Sequence, residues 1–279
     1  MAPQFIGFAI FVGLPLLAIL GLSFFDWNIL RPGIKFIGFA NYDRLLHSAE
    51  VARVARTTIV FGLGFVPLTV GLGLALALAL SAPSRISYAL RSAYFLPLVI
   101  SLAAWSVVWR LILQSNGPMN GLLQGLFGIE QILWLRDPAL ALASVILVQT
   151  FKTIGYAMIL FLAALSTVPP ELREASRVDG AGAWQTFRSI TWPLIAPFTF
   201  MVTVLLTIAS FKTFALIYLL TNGGPGDATT VISFYVYERG LRLFEMGYAS
   251  ALAVAMFGAV LVLTLGQFLV RRRWVYEGD

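Results

Sequence analysis

The sequence predicts an all-α membrane protein with six transmembrane helices in a single domain. Hydrophobic residues make up 59% of its 279 residues and charged residues 11%, whereas soluble domains have roughly 45–50% and about 25%. The mean hydropathy is +0.87. Apolar runs of about 20 residues, long enough to cross a hydrocarbon core about 30 Å thick, recur along the chain.

These runs define the predicted spans, and the polar segments between them define the predicted loops. The spans cover residues 5–25, 57–80, 93–113, 139–165, 194–220 and 249–270. The first is interrupted only by Gly, Pro15 and Ser, and no convincing cleavage site follows it, so we expect a retained span. Arg271, Arg272 and Arg273 follow the last span and are expected to stop it.

Composition excludes several kinds of site. The chain has no cysteine, which excludes disulfides and thiolate metal ligands. His47 is the single histidine, and no other metal ligands stand at a suitable spacing in its segment, so we expect no metal site. The net charge is +6, but surplus arginine in a membrane protein flanks the spans, so we expect no nucleic-acid partner.

A polar stripe marks the fourth span. Gln149, Lys152, Thr153 and Tyr156 stand at i, i+3, i+4 and i+7, so they share one helix face in mid-membrane. A charge there costs at least ~2.5–3.5 kcal/mol, and such residues face a cavity or a partner. We expect the stripe to line a substrate pathway, and helix–helix hydrogen bonding without a ligand is the alternative.

Two residues outside that span are added to the predicted pathway. Ser210 is one of the polar residues near the outer end of the fifth span, and Trp105 offers an aromatic ring in the third. Aromatic rings stack on the apolar faces of sugars, whereas a tryptophan near the membrane boundary can also be an anchor. Lys212 is expected to be structural, because its side chain can reach the interface.

The longest polar interruption in the second half of the chain is the loop 166–192. Proline suits the first turn of a helix, so Pro169 and Pro170 predict a short helix over Glu171–Asp179. Gly180 and Gly182 are expected to end it, and a second short helix over Ala183–Ile190 leads into the next span. Leu172, Ala175, Ser176 and Asp179 share one face of the first helix, where small residues let a partner backbone come close.

This loop resembles the EAA loop of ABC importer permeases. Glu174, Ala175 and Ser176 are followed at the family spacing by Gly180 and then by Ile190 and Pro193. Ser176 replaces the second alanine of the pattern, and Trp192 replaces a leucine.

A second resemblance lies after the fifth span. The stretch TNGGPGDATT, preceded by FKTFALIYLL, is similar to sugar and glycerol-3-phosphate permeases of the maltose-permease type, as is FIGFANYDRLL at 36–46. Ala215 departs from the acidic residue found in many relatives, so no substrate contact is carried over to it.

The resemblance implies a type I ABC importer permease spanning 1–279, with the loop 166–192 and both termini on the cytoplasmic side of a prokaryotic cell membrane. It implies a second permease subunit, two ATPase subunits that bind ATP and Mg²⁺, and an extracytoplasmic solute-binding protein. This chain has no P-loop, so we expect no cofactor and no enzyme activity of its own. The implied ATPase-coupling residues are Glu171, Glu174, Ala175, Ser176, Arg177, Asp179 and Gly180. The implied binding-protein contacts are Asn222, Gly223, Gly224 and Pro225.

Three other functions stay open from the sequence. The substrate is expected to be a mono- or oligosaccharide, with glycerol-3-phosphate or a related polyol phosphate as the alternative. A stand-alone secondary transporter or a membrane scaffold is the alternative of another class. Counts of Arg and Lys do not decide the orientation, but their density in the short loops favours the loop 166–192 inside.

Overall fold

The computed structural model describes residues 2–271, which form an α-helical membrane protein with one small sheet. The strands β1 (Phe25–Asp26) and β2 (Lys35–Phe36) are antiparallel. The first six helices are α1 (Pro3–Leu22), α2 (Ala40–His47), α3 (Ala49–Ala79), α4 (Arg85–Val99), α5 (Leu102–Leu113) and α6 (Pro118–Phe127). The others are α7 (Pro138–Ser166), α8 (Pro170–Val178), α9 (Ala183–Phe211), α10 (Ala215–Leu220), α11 (Ile232–Tyr237) and α12 (Met246–Arg271).

Five of the described helices are long and apolar enough to cross a membrane, namely α1, α3, α7, α9 and α12. The sixth span is a bent pair, in which α4 and the stretch Leu102–Phe127 meet at 102°. The prediction of six spans is therefore met only when this pair counts as one. The predicted stop at Arg272 and Arg273 lies outside the described residues.

Helix α7 forms the centre of the bundle, because α3, α4 and α9 all pack against it. Its interface with α3 is tight, since a Cβ on Gly73 would lie 2.7 Å from the Cβ of Ala157. Thr69 of α3 donates a hydrogen bond of 3.4 Å to Thr150 of α7 in the buried interface. Phe61, Phe65, Met158 and Phe161 are fully buried in the same core.

One end of the helix bundle is held by a charged cluster. Arg239, in the π-helical turn Glu238–Arg242 after α11, pairs with Glu50 of α3 and lies 3.6 Å from Glu245. Arg44 of α2 reaches Glu245 at 3.3 Å and stacks on Tyr248 at 4.0 Å. Tyr235 is buried beside them, and its burial and its hydrogen bond to Glu50 raise its pKa. This cluster ties α2, α3 and α12 together.

Several boundaries differ from the sequence predictions. Span two begins at Ala49 rather than at 57, because the Ser48 side chain accepts from the Val51 N–H and caps the helix there. Ser48 thereby also separates α3 from the short helix α2, which ends at His47. Span one ends at Leu22 rather than at 25, where the chain turns into β1.

The third and fifth spans differ more, because each is broken. The predicted span 93–113 begins at Arg85, inside the expected loop, and is interrupted at Ile100 and Ser101. The predicted span 194–220 ends as a continuous helix at Phe211, and α10 follows after a break at 212–214. At its other end, α9 already begins at Ala183, so the expected second short helix is the first part of this span. The π-helical turn Phe187–Thr191 precedes Pro193 and lets the helix continue past that ring.

Candidate functional site

The predicted polar stripe does lie along one face of α7. Gln149, Lys152 and Thr153 are half-buried, and Tyr156 is 36% exposed. The Gln149 amide donates to the Thr153 hydroxyl at 3.3 Å, which fixes the two side chains along the helix. The stripe borders the open side of α7, where Phe151 is 43% exposed in mid-span.

Lys152 is held by the break in the third span. Its ammonium donates to the carbonyl oxygens of Pro97 at 2.9 Å and Ile100 at 2.8 Å. Helix α4 comes very close to α7 here, since a Cβ on Gly155 would lie 2.0 Å from the carbonyl oxygen of Tyr94. Only glycine permits that approach.

Aromatic residues form a wall beside the stripe. Trp105 is 6% exposed and donates from its indole to the Val148 carbonyl at 3.3 Å. Its ring packs on Phe151 at 5.6 Å and on Trp109 at 5.8 Å. The structure thus places Trp105 behind Phe151, and Phe151 presents the exposed ring.

Ser210, which was predicted to line the same pathway, does not lie beside the polar stripe of α7. It is 1% exposed and donates to the Thr207 carbonyl at 2.7 Å. It lines a cavity of about 620 Å³ between α3, α9 and α12, and no α7 residue lines that cavity. Gln267 reaches into the same cavity and donates to the Thr207 hydroxyl at 3.0 Å.

The break at 212–214 is a feature that the sequence interpretation missed. Lys212 is the exposed C-cap of the long helix, and Thr213 is buried beside it. Beyond the break, α10 packs on α5 and α7. Irregular backbone at membrane depth is tolerated where it is buried in protein or lines a cavity. Two broken spans therefore flank α7. The sequence signal for the second break was the polar pair Lys212 and Thr213 within an apolar run of 27 residues.

The predicted coupling helix is present as α8, one residue from its expected bounds. Glu171, Glu174, Ala175, Arg177 and Asp179 are exposed on it. Ser176 is different, since it is 7% exposed and its hydroxyl lies 3.0 Å from that of Thr186 at the start of α9. Its small size is therefore explained by packing within this chain, and it does not present the same surface as Ala175.

The turn after α8 requires glycine. Gly180 has φ +78°, and nothing lies within 4 Å of the position of a Cβ there, so its constraint is the backbone conformation rather than space. Val178 is 88% exposed and Trp184 71% exposed on either side of the turn. The loop thus offers an exposed apolar surface beside the carboxylates of α8.

The glycine-rich loop after α10 is more compact than a hydrated turn. Thr229 donates to the Gly224 carbonyl at 2.8 Å, and Gly223 is buried. Of the four predicted contact residues, Asn222 is exposed, while Gly224 and Pro225 are half-buried. The Arg242 guanidinium donates to the Asn222 side chain at 2.7 Å.

No group of three metal-binding side chains occurs among residues 2–271. A polar pocket of about 420 Å³ lies between the glycine-rich loop and the N-terminal end of α3. Arg53, Arg56 and Asp227 line it. This pocket and the glycine-rich loop together form one continuous polar surface.

Comparisons with known proteins agree with this geometry. Residues 69–276 match the family model described as binding-protein-dependent transport system inner membrane component. A probable ABC transporter permease protein, YesP, of Bacillus subtilis is 35% identical over 99% of this chain and 90% of its own length. The sulfoquinovosyl glycerol transport system permease protein SmoG of Agrobacterium fabrum is 32% identical over 95% of this chain and 86% of its own.

A solved structure matches the whole described fold. It is a bacterial alginate ABC transporter in complex with an alginate pentasaccharide-bound periplasmic protein. One of its chains superimposes with a TM-score of 0.87 and 25% identity, covering 100% of this chain and 94% of that chain.

Proposed function

Because the chain belongs to the family of binding-protein-dependent transport system inner membrane components, we propose that it is the membrane permease subunit of an ATP-driven importer of a carbohydrate. Membership makes it a multi-pass membrane protein of an ABC importer. The assignment of a carbohydrate substrate is supported by relatives whose names refer to sulfoquinovosyl glycerol and alginate. The observation that carries the proposal is the pair of broken spans on either side of the polar stripe of α7.

The stripe forms half of the translocation pathway in this proposal. Gln149, Thr153 and Tyr156 present amide and hydroxyl groups, which suit the hydroxyls of a sugar. Phe151 adds an exposed ring on the same open side of α7. Discontinuous helices beside such groups are a feature of transporter substrate sites, because their irregular backbone faces a cavity. A second permease subunit supplies the opposite wall.

The loop around α8 contacts an ATPase subunit. Glu171, Glu174 and Asp179 offer exposed carboxylates, and Ala175 leaves room for a partner backbone. Val178 and Trp184 add apolar area of the kind that anchors protein interfaces. Two ATPase subunits bind ATP and Mg²⁺, and this chain binds neither.

The opposite end of the molecule meets the solute-binding protein. Asn222 and the half-buried Gly224 and Pro225 form the accessible part of the glycine-rich loop. The polar pocket beside them extends this surface to α3. In the proposed orientation α8 and both chain termini lie in the cytoplasm, and the glycine-rich loop lies outside.

Reconstitution tests the proposal. The chain is placed in proteoliposomes with its partner permease and ATPase, and a panel of mono- and disaccharides is presented through the solute-binding protein. We expect ATP-dependent uptake of at least one sugar, and none by this chain alone. Uptake by the chain alone would identify a stand-alone transporter. Uptake of glycerol-3-phosphate or a related polyol phosphate, with no uptake of mono-, di- or longer oligosaccharides, would overturn the carbohydrate assignment.

A matched pair of glycine variants tests the coupling loop in the same assay. Gly180→Val is expected to lower stimulated ATP hydrolysis at least tenfold or to release the ATPase, because valine opposes φ +78°. Gly182→Ala is the control, since that residue has φ −69° and open space around it. Equal stimulation in both variants would remove this loop from the coupling surface.

A further inference from the structure

The break in the third span leaves the last carbonyl groups of α4 without their helical donors, among them those of Pro97 and Ile100. In a continuous helix the carbonyl of Pro97 would accept from the Ser101 N–H, and that of Ile100 from the Ala104 N–H. Helix α4 ends at Val99, and the Ala104 N–H instead donates to the Ser101 hydroxyl at 3.3 Å. An uncompensated carbonyl within the membrane is strongly destabilising, because no water is there to pair with it. The break therefore needs donors from elsewhere.

Lys152 supplies both donors. Its ammonium lies 2.9 Å from the carbonyl oxygen of Pro97 and 2.8 Å from that of Ile100. These carbonyls form the C-terminal end of α4, where the helix dipole favours a cation. The ammonium also lies 5.5 Å from the centre of the Trp105 ring, whose face attracts positive charge. The charge of Lys152 is thus compensated within this chain.

We infer that Lys152 is a positioning residue that fixes the break of the third span, and that it does not bind the transported sugar. Two of its three N–H donors are occupied, and the surrounding carbonyls and ring leave no requirement for an anion. Without this cation the Ser101 and Ala104 N–H groups are the next available partners, and pairing with them would re-form a continuous helix.

The same region is attached to α7 at two further points. The Trp105 indole donates to the Val148 carbonyl at 3.3 Å, and Gly155 lets the Tyr94 carbonyl approach within van der Waals distance. With Lys152 between them, both halves of the broken span are fixed to α7. The inference deepens the proposed function, because it makes the bend a fixed part of the proposed pathway wall.

Distance measurement between two spin labels tests it without any substrate. The native chain has no cysteine, so Ile86→Cys on α4 and Val108→Cys on α5 give unique labelling sites, both well exposed. A continuous helix would put these residues about 33 Å apart, and the bend brings them closer. The variants are Lys152→Met, which cannot donate, and Lys152→Arg, which can. Lys212→Met is the control, because the side chain of Lys212 has no hydrogen-bond partner among the described residues.

In the assembled importer we expect the label-to-label distance distribution of Lys152→Met to gain a second, longer component near the distance of a straight helix. Loss of assembly is the other expected result for this variant. We expect Lys152→Arg to restore the native distance and Lys212→Met to keep it. A native distance distribution in Lys152→Met, or failure of Lys152→Arg to restore what Lys152→Met loses, would overturn the inference. Because the distance is read without sugar, it can succeed even when the reconstituted importer rejects every sugar offered.

Discussion

Gly155 provides the sharpest test of how α4 and α7 are held together. A Cβ added there would lie 2.0 Å from the carbonyl oxygen and 2.7 Å from the carbonyl carbon of Tyr94. Both atoms belong to the backbone, so no side-chain rotation relieves the clash. A relaxed carbon–oxygen contact needs about 3.3 Å, so Gly155→Ala forces the helices apart by about 1.3 Å.

The energetic cost has two parts. Overpacking of this size costs about 1–3 kcal/mol. The movement also lengthens the bonds from Lys152, because the carbonyl of Pro97 belongs to α4. We therefore expect Gly155→Ala to lower the free energy of unfolding by at least about 2 kcal/mol, although alanine is the better helix former by about 1 kcal/mol in water.

Unfolding of the purified chain by SDS titration measures this difference. Gly71→Ala on α3 is the matched control, since no atom lies within 4 Å of a Cβ there. It carries the same change in helix propensity without the clash. If Gly155→Ala is as stable as Gly71→Ala, α4 does not approach α7 as closely as described, and the reasoning about the broken span is refuted.

Three other predictions concern the orientation of the loop around α8, the charged cluster around Arg239 and the polar stripe of α7. A cysteine at Ala181 should react with an impermeant thiol reagent only in inverted membranes, and labelling in intact cells would reverse the proposed orientation. Glu50→Gln should lower the free energy of unfolding by roughly 1–3 kcal/mol, because it weakens the pair with the largely buried Arg239. Asp43→Asn is the control and should cost less than about 1 kcal/mol, because the pair of Asp43 with His47 is exposed. Gln149→Leu combined with Tyr156→Leu should lower uptake at least tenfold with normal assembly, and unchanged uptake kinetics would leave the stripe with a packing role only.

Local patterns predicted the features that depend on one helix face or one backbone angle. The stripe from Gln149 to Tyr156 needed only the helical period. The turn at Gly180 needed only the conformational range of glycine. The helix before it was predicted to within one residue, because proline and glycine mark its two ends.

Features that depend on distant residues were not predictable in the same way. The break at Ile100 requires Lys152, which lies about fifty residues later in the chain and supplies the donors. Ser176 was expected to face a partner, but Thr186 covers it from the start of α9. The short helix over Ala183–Ile190 was expected to be separate from the span that starts at 194, but a π-helical turn joins the two into one helix. Each outcome depends on which groups come together after folding.

The continuity of α9 makes it a lever. Its 29 residues run from the turn beside α8 to the break beside the pathway, a length of about 43 Å. A tilt of about 5° at one end displaces the other by about 4 Å, so in the proposed importer a small rotation imposed on the loop around α8 would arrive at the break at 212–214 as a movement comparable to the width of a side chain. The π-helical turn Phe187–Thr191 and Pro197 are the points where α9 can bend, so they decide how much of this movement is passed along the helix.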